Sequence, residues 1–338
     1  MTRQPKRRKE RLDRGIKVRS EDIFALTSWR EVFYLLAPRI VPVALVLFFI
    51  LFATPYWKRV MVSTAMFGIM AMSWDLLVST GLVSLGQALF FGMGAYIAGY
   101  LNHSFGWPFW VTIPIATVGG GLLCTLLLIP VLRLRGIYFA MVTLVLPLVF
   151  VRIIEATKIF GGTEGFSGLA SFHNIEEELA ICLLALLAVL FGFRRLMSTD
   201  FGLVLQGIRD NDRAVISSGI DIYWFKAQAL FLAGSVGAFA GAVMTHAYMF
   251  VGMPVFALDY SILPIAAAVV GGMGTLAGPA LGAFILVPLS EALRALGPLR
   301  VVFYGIFLVV FTVAIPEGIL PYLQRKYHQF ERWVDVEA

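Results

Sequence analysis

Charged residues and cysteines are both scarce in this sequence. Only 14% of its 338 residues are Asp, Glu, Lys or Arg, whereas a soluble protein carries roughly 25%. Too few charges remain to give a chain of this length a water-soluble surface. The two cysteines, Cys124 and Cys182, lie in apolar runs without C-x-x-C spacing, and the chain has four histidines. Neither a disulfide nor a zinc site is therefore expected.

Catalytic and nucleotide-binding motifs are also missing. The sequence contains no G-x-x-x-x-G-K-[ST] phosphate loop, no H-E-x-x-H and no G-x-S-x-G. The segment GMGTLA at 272–277 matches G-x-G-x-x-A, but it follows an apolar run and lacks the strand–turn–helix context of a dinucleotide site. We therefore expect neither an enzymatic activity nor a cofactor in this chain.

The basic residues are concentrated at the start of the chain. Nine of the 27 Lys and Arg residues fall within the first 19 positions. No basic stripe with interleaved aromatic residues recurs elsewhere, which argues against nucleic-acid binding. A basic tail beside a membrane segment is typical of the cytoplasmic side, where it contacts anionic lipid.

Hydrophobic residues make up 59% of the sequence and form long runs. Because a spanning helix needs about 20 mostly apolar residues, these runs predict an all-α polytopic membrane protein with about ten transmembrane helices. Five glycines and a proline interrupt the run VVGGMGTLAGPALGA, so the stretch 260–294 forms either two short spans or one span with a re-entrant loop. The predicted spans are 40–57, 60–79, 83–102, 109–131, 137–156, 178–193, 226–248, 260–272, 278–294 and 299–315.

The charges between the spans predict an orientation. With the basic N-terminus in the cytoplasm, Arg133, Arg135 and the polar segment 194–225 also lie on the cytoplasmic side. The sequence then divides into a basic cytoplasmic tail with an interfacial helix (1–39), a transmembrane domain (40–315) and a cytoplasmic C-terminal tail (316–338).

Ten spans divide into two halves of five. Because five is odd, the second half runs inverted relative to the first. The glycine-broken segments 81–102 and 260–292 fall at corresponding places in the two halves, a pattern that indicates a translocation path. We therefore predict two inverted five-helix repeats.

A few polar side chains within the predicted spans are candidates for lining that path. Ser84 and Gln87 lie within one helical turn of each other in the first glycine-broken segment, and Thr143 lies in a later span. Asp75 is predicted either to serve as a proton relay or ion site, or to make a structural hydrogen bond to a neighbouring helix or to the broken backbone after Gly81. The glycines also have a simpler interpretation, which is close helix packing.

The polar segment 194–225 is the one predicted cytoplasmic loop long enough to hold its own helix. Asp210 or Asp212 is expected to cap that helix, and Gly219 to end it. A short helix of mixed charge on the membrane face is typical of a docking element, although an ordinary amphipathic loop helix also fits. The residues predicted to carry the docking are Arg209, Asp210, Asn211, Asp212, Arg213 and Gly219.

Five motifs occur in the order seen in one family. They read TGLVSLGQALFFGMGAY, LRLRGIYFAMVTL, GGTEGFSGL, GIRDNDRAVISSGID and VVGGMGTLAGPALGA. In this they resemble the permease subunits of bacterial ATP-binding-cassette (ABC) importers, and within these the LivM-type permeases for branched-chain amino acids. The resemblance covers most of the chain, from residue 60 to residue 315.

The resemblance implies inverted repeats and a set of partners. The expected partners are a second, LivH-like permease, two ATP-binding subunits of LivF and LivG type that hydrolyse the ATP, an extracytoplasmic substrate-binding protein and membrane lipid. The chain is then expected in the bacterial inner membrane with both termini cytoplasmic, and 194–225 becomes the loop that holds the coupling helix. The family's coupling pattern, E-A-A-x-x-x-G, is degenerate here: Arg213, Ala214, Val215 and Gly219 stand at the aligned positions.

Other transport functions remain open at this point. A urea or short-amide permease of the same family would carry the same motifs. An ion-coupled secondary transporter acting alone would need paired carboxylates or a basic–acidic relay in mid-membrane, and the sequence offers none. A passive channel would not need a docking loop.

Overall fold

The computed structural model describes residues 7–11, 54–134, 136–297, 299–328 and 331–335. The predicted interfacial helix and most of the predicted span 40–57 lie outside these described residues. The described chain is mainly helical. Its α-helices are α1 Pro55–Val78, α2 Gln87–Phe105, α3 Phe109–Leu128, α4 Ile137–Thr157, α5 Ile175–Met197, α6 Asp200–Ser217, α7 Ile222–Tyr248, α8 Asp259–Gly271, α9 Ala277–Ala292, α10 Leu299–Ala314 and α11 Ile319–His328.

Two short antiparallel strand pairs accompany the helices, and the sequence analysis predicted neither. Strand β1 (Arg7–Arg11) pairs with β4 (Glu331–Asp335), so the two tails meet. Strand β2 (Phe166–Ser167) pairs with β3 (Phe250–Val251) and joins two long interhelical loops.

Seven described helical segments are long and apolar enough to cross a membrane. This confirms an all-α polytopic membrane protein. Helix α9 has 16 residues and is shorter than these segments, and the 19-residue helix α2 is not among them. The count of ten spans therefore stays a prediction. The seven segments are Pro55–Val78, Phe109–Arg133, Ile137–Thr157, Ile175–Met197, Ile222–Tyr248, Met253–Gly271 and Gly305–Arg325.

Some predicted boundaries were wrong. Helix α1 begins at Pro55 rather than at residue 60, since proline fits the first helical turn, where its missing N–H has no partner to lose. The predicted span 83–102 becomes helical only at Gln87. The stretch 260–294 forms two helices, α8 and α9, separated by the loop 272–276.

Helix α1 forms the centre of the bundle. In its most apolar stretch 89% of the residues are buried, against 28% in that of α4. The helix packs against α5, α7, α8 and α9. Glycines let the helices approach closely: a Cβ at Gly94 would overlap the Ala238 carbonyl on α7, and one at Gly282 would overlap the Ala267 carbonyl on α8. In lipid such small residues allow the van der Waals packing that holds helices together.

Different contacts and elements lie at the two ends of the bundle. At one end, Lys58 pairs with Glu176 at 2.9 Å and the Arg59 guanidinium donates to the Ala247 carbonyl at 3.0 Å. Both contacts join the start of α1 to neighbouring helices. The other end holds the segment 79–86, helix α6 and the loop 272–276, and is called the α6 end below.

Two connections in the bundle have the same construction. Helix α3 continues into a 3₁₀ turn, Ile129–Arg133, and Gly136 (φ 54°, ψ −124°) then precedes α4. Helix α9 likewise continues into the 3₁₀ turn Leu293–Leu296, and Gly297 (φ 57°, ψ −132°) precedes α10. The first connection lies at the α6 end and the second at the opposite end.

Candidate functional site

The helical path is broken between α1 and α2, where 79–86 forms turns instead of helix. Gly81 supports the turn because its φ of +78° is costly for other residues. The Trp74 indole N–H then donates to the Ser84 carbonyl at 2.6 Å, and the Ser84 hydroxyl accepts from the Gly86 amide at 3.2 Å. In a continuous helix the Ser84 carbonyl and the Gly86 amide would bond to other backbone groups, whereas here the side chains of Trp74 and Ser84 take those places.

Two more helices hold this break from its sides. The Leu85 amide donates to the Thr143 hydroxyl on α4 at 3.1 Å, and the Ala88 amide donates to the Ser261 hydroxyl on α8 at 2.9 Å. A Cβ at Gly86 would overlap the Thr143 carbonyl, so only glycine allows this approach. We call the set Trp74, Ser84, Gln87, Thr143 and Ser261 the broken-helix site.

Gln87 opens α2 and is completely buried. Neither its amide nitrogen nor its amide oxygen has a hydrogen-bond partner among the described residues. A buried amide without partners costs about 1–3 kcal/mol, and such groups in native structures call for a reason, such as an ordered water, an ion or a functional role. Gln87 can therefore offer both a hydrogen-bond donor and an acceptor to a polar molecule at the start of α2.

Asp75 makes a different kind of contact. Its carboxylate accepts from the Gly274 amide at 2.6 Å and from the Leu276 amide at 2.9 Å. It therefore ties the end of α1 to the loop 272–276, just before α9, where the helix dipole favours a negative charge. This is the structural hydrogen bond to broken backbone that was one alternative for Asp75, but it reaches the break after Gly272 rather than the one after Gly81.

Helix α6 lies on the surface at this end. Its buried residues, Gly202, Leu205 and Ile208, recur every third position and form one face. The helix begins at Asp200 and is kinked at Asn211 (φ −158°, ψ 93°). The helix thus begins well before the predicted caps, Asp210 and Asp212, because its first half packs on the bundle through this apolar face.

Asn211 restarts the helix after the kink. Its side-chain oxygen accepts from the Ala214 amide at 3.2 Å, which is the N-cap geometry that asparagine favours. The predicted caps, Asp210 and Asp212, were therefore wrong. Gly219, with φ +81°, ends the helix as predicted: its amide donates to Ile216 and the next amide donates to Val215, the bond pattern of a Schellman motif.

Arg209 lies where α6 meets both breaks, although its residue remains exposed. A Cβ on Gly81 would sit 3.5 Å from the Arg209 Cα, and one on Gly274 would sit 3.4 Å from its Nη1. The structure thus gathers Ser84, Gln87 and Thr143 at one break and Asp75 at the other, with Arg209 between the breaks. Asp210 and Arg213 are exposed on α6.

Sequence reasoning missed some residues of the site. Ser261 and Trp74 are separated from their partners by 173 and 10 positions, and neither stands out in an apolar run. At the opposite end, His246 contacts the Thr112 hydroxyl at 2.7 Å and the Ala170 carbonyl at 2.6 Å. That buried network, together with the β2–β3 pair, joins the loops 158–174 and 249–258 into one surface.

These features define a polytopic helical membrane protein with polar, glycine-dependent breaks inside its bundle. Comparison with known sequences places it more closely. The chain belongs to the family described as the permease component of the branched-chain amino acid transport system, whose sequence model matches residues 56–314.

The relatives come from bacteria and archaea. The high-affinity branched-chain amino acid transport system permease protein LivM of Escherichia coli is 30% identical over 273 residues, covering 72% of this chain and 64% of that protein. The chain thus spans less than two thirds of that relative's length. The probable LivM of Methanocaldococcus jannaschii is 24% identical over 234 residues, covering 62% of this chain and 68% of that one. The ribose import permease protein RbsC of Bacillus subtilis is 32% identical over 108 residues, 30% of this chain and 33% of that protein. No solved structure matches the chain.

Proposed function

We propose that this chain is the membrane permease subunit of an ATP-driven importer that carries branched-chain or related amino acids across the bacterial inner membrane. The observation that carries the proposal is the family match over residues 56–314, which takes in α1 to α10. The chain itself makes no covalent change to its substrate. Partner subunits bind and hydrolyse the ATP.

The proposed architecture is a pair of inverted five-helix repeats within a permease domain of residues 40–315. The matching connections at Gly136 and Gly297 support it, because their backbone angles agree within 10° in φ and ψ while they lie at opposite ends of the bundle. The packing of α2 on α3 is likewise matched by that of α8 on α9. Inverted repeats with broken helices are a common design for alternating access.

The proposed coupling element is the stretch 209–219 within the cytoplasmic loop 194–225. Helix α6 supports it because its first half packs on the bundle while the half after Asn211 is largely exposed. The inner half of such a helix carries movement of a subunit docked on the outer half into the bundle. The coupling residues are Arg209, Asp210, Asn211, Asp212, Arg213 and Gly219.

The proposed substrate path passes the broken-helix site. Gln87 supplies a donor and an acceptor that have no partner in the part of the chain that the structure describes, while Ser84 and Thr143 shape the break through their hydrogen bonds. Asp75 contributes by holding the loop 272–276 in place. An amino acid carries both hydrogen-bond donors and acceptors, which suits a neutral amide.

The proposed partners occupy both faces of the membrane. A LivH-like permease lies beside this chain, and two LivF- and LivG-like ATP-binding subunits lie on the cytoplasmic side with the tails 1–39 and 316–338. The β1–β4 pair supports a common side for both termini. The loops joined by β2 and β3 offer the substrate-binding protein one continuous surface on the outer side.

The test is uptake by the assembled complex in proteoliposomes. We expect labelled leucine, isoleucine or valine to accumulate only when ATP, both permeases, the ATP-binding subunits and the loaded binding protein are all present. Uptake of urea or a short amide in place of these amino acids would show that the proposed substrate class is wrong. Uptake by this chain alone under an ion gradient would overturn the importer.

A further inference from the structure

Arg209 makes contacts that an exposed docking residue does not need. Its backbone lies against Gly81, since a Cβ there would be 3.5 Å from the Arg209 Cα. Its guanidinium reaches the other break, since a Cβ added to Gly274 would lie 3.4 Å from the Arg209 Nη1. One residue of α6 thus touches both non-helical segments of the bundle.

The contact continues from Gly274 into the bundle core. The Gly274 amide donates to the Asp75 carboxylate at 2.6 Å. Asp75 is buried near the end of the central helix α1. A continuous set of groups therefore runs from α6 through Gly274 and Asp75 to α1.

The kink at Asn211 separates this inner contact from the outer half of the helix. Arg213 has the same side-chain type as Arg209 but lies beyond the kink, on the exposed half. Its carbonyl accepts from the Ser217 hydroxyl within the same short helix. Arg209 therefore lies on the half of α6 that packs on the bundle, and Arg213 lies on the half that is largely exposed.

We propose that Arg209 is a positioning residue that transmits movement of α6 to the loop 272–276 and to α1, while residues beyond Asn211 contact the ATP-binding subunits. This inference rests on the proposed importer function. It assigns Arg209 to the inside of the coupling path rather than to the subunit interface.

The first test compares Arg209→Ala with Arg213→Ala in the assembled complex. Two quantities are measured: the amount of ATP-binding subunit that co-purifies, and the ratio of ATP hydrolysis with and without loaded binding protein. For Arg209→Ala we expect normal co-purification and a fall in the stimulation ratio of about fivefold or more, the size of a typical coupling effect. For Arg213→Ala we expect reduced co-purification. Arg209→Lys, which keeps the charge but loses the planar fork, should retain part of the stimulation.

Two results would overturn the assignment. If Arg209→Ala loses the ATP-binding subunits as Arg213→Ala does, Arg209 is an interface residue. If Arg209→Ala keeps the wild-type stimulation ratio, it transmits nothing.

A second measurement does not depend on transport. Hydrogen exchange in peptides covering 272–276 of the full-length protein should become about fivefold faster or more in Arg209→Ala, because the loop loses a contact, and should stay unchanged in Arg213→Ala. Unchanged exchange in Arg209→Ala would refute the contact with the loop. Absence of ATP-driven uptake by the wild-type complex would instead refute the importer function, and the exchange result would still decide the Arg209 link.

Discussion

The breaks at 79–86 and 272–276 are both glycine-dependent, yet they are held in different ways. The first is fixed by side chains from three helices, Trp74 on α1, Thr143 on α4 and Ser261 on α8. The second depends on the single carboxylate of Asp75 for its contact with α1.

The difference extends to strain and to free hydrogen-bonding capacity. The loop 272–276 contains a non-glycine residue, Leu276, at φ +59° and ψ −39°, a sparsely populated conformation that costs about 1–3 kcal/mol. Beside the break 79–86, Gln87 has an amide without a hydrogen-bond partner among the described residues. The break 79–86 is therefore held by several side chains, whereas the strained loop 272–276 is tied to α1 by one carboxylate.

Removing the Asp75 carboxylate should have the largest effect. Asp75→Ala leaves the Gly274 and Leu276 amides without their acceptor, which should lower the free energy of unfolding by about 3 kcal/mol. Asp75→Asn keeps one acceptor oxygen, so its free energy of unfolding should fall by less. Thermal unfolding of the purified protein in detergent measures both. Equal stability of Asp75→Ala and wild type would show that the loop does not depend on this carboxylate.

Filling the space at the first break should come next. Gly86→Ala places a Cβ against the Thr143 carbonyl, and overpacking of this kind costs about 1–3 kcal/mol. The control is Gly192→Ala on α5, where an added Cβ meets no described atom within 4 Å. That change should be neutral or slightly stabilising, since alanine favours helix. If both variants unfold at the same temperature, the close approach of α4 is wrong.

Gln87→Leu should separate function from stability. It removes an unpartnered buried amide, so the protein should become no less stable and gain up to about 1 kcal/mol, while uptake falls about tenfold, as for a transition state weakened by about 1.4 kcal/mol. The matched control is Tyr96→Phe, which removes another buried, unpartnered polar atom of α2. Its uptake should stay at the wild-type rate. A comparable loss of uptake in both variants would remove the special role of the break.

Ser261→Ala should have the smallest effect. The Ala88 amide loses its acceptor, at a cost of about 1 kcal/mol, but Thr143 and Trp74 still hold the break. Ser63→Ala, at a half-buried position of α1 whose hydroxyl has only a long 3.4 Å contact with the Tyr248 hydroxyl, should change stability by no more than about 0.5 kcal/mol. The two thermal unfolding curves, measured side by side, check this. A loss for Ser261→Ala as large as that for Asp75→Ala would mean that the first break also depends on a single contact.

Hydropathy predicted most of the helices, because the need for about 20 apolar residues acts locally along the chain. Gly219 was predictable for the same reason: a helix stop depends on one residue's φ. The partner of Asp75 was not, since Gly274 is 199 positions away and no local pattern encodes that distance. The start of α6 at Asp200 was missed because its apolar face, with Leu205 and Ile208, is only recognisable once the bundle beneath it is known.

The most direct measurement is the initial rate of labelled leucine uptake by the reconstituted complex, with and without ATP, for wild type and Gln87→Leu. The account predicts ATP-dependent uptake by the wild type, and about tenfold slower uptake by a variant that keeps its stability and its ATP-binding subunits. Wild-type uptake that does not require ATP, or equal rates for the two proteins, would contradict it.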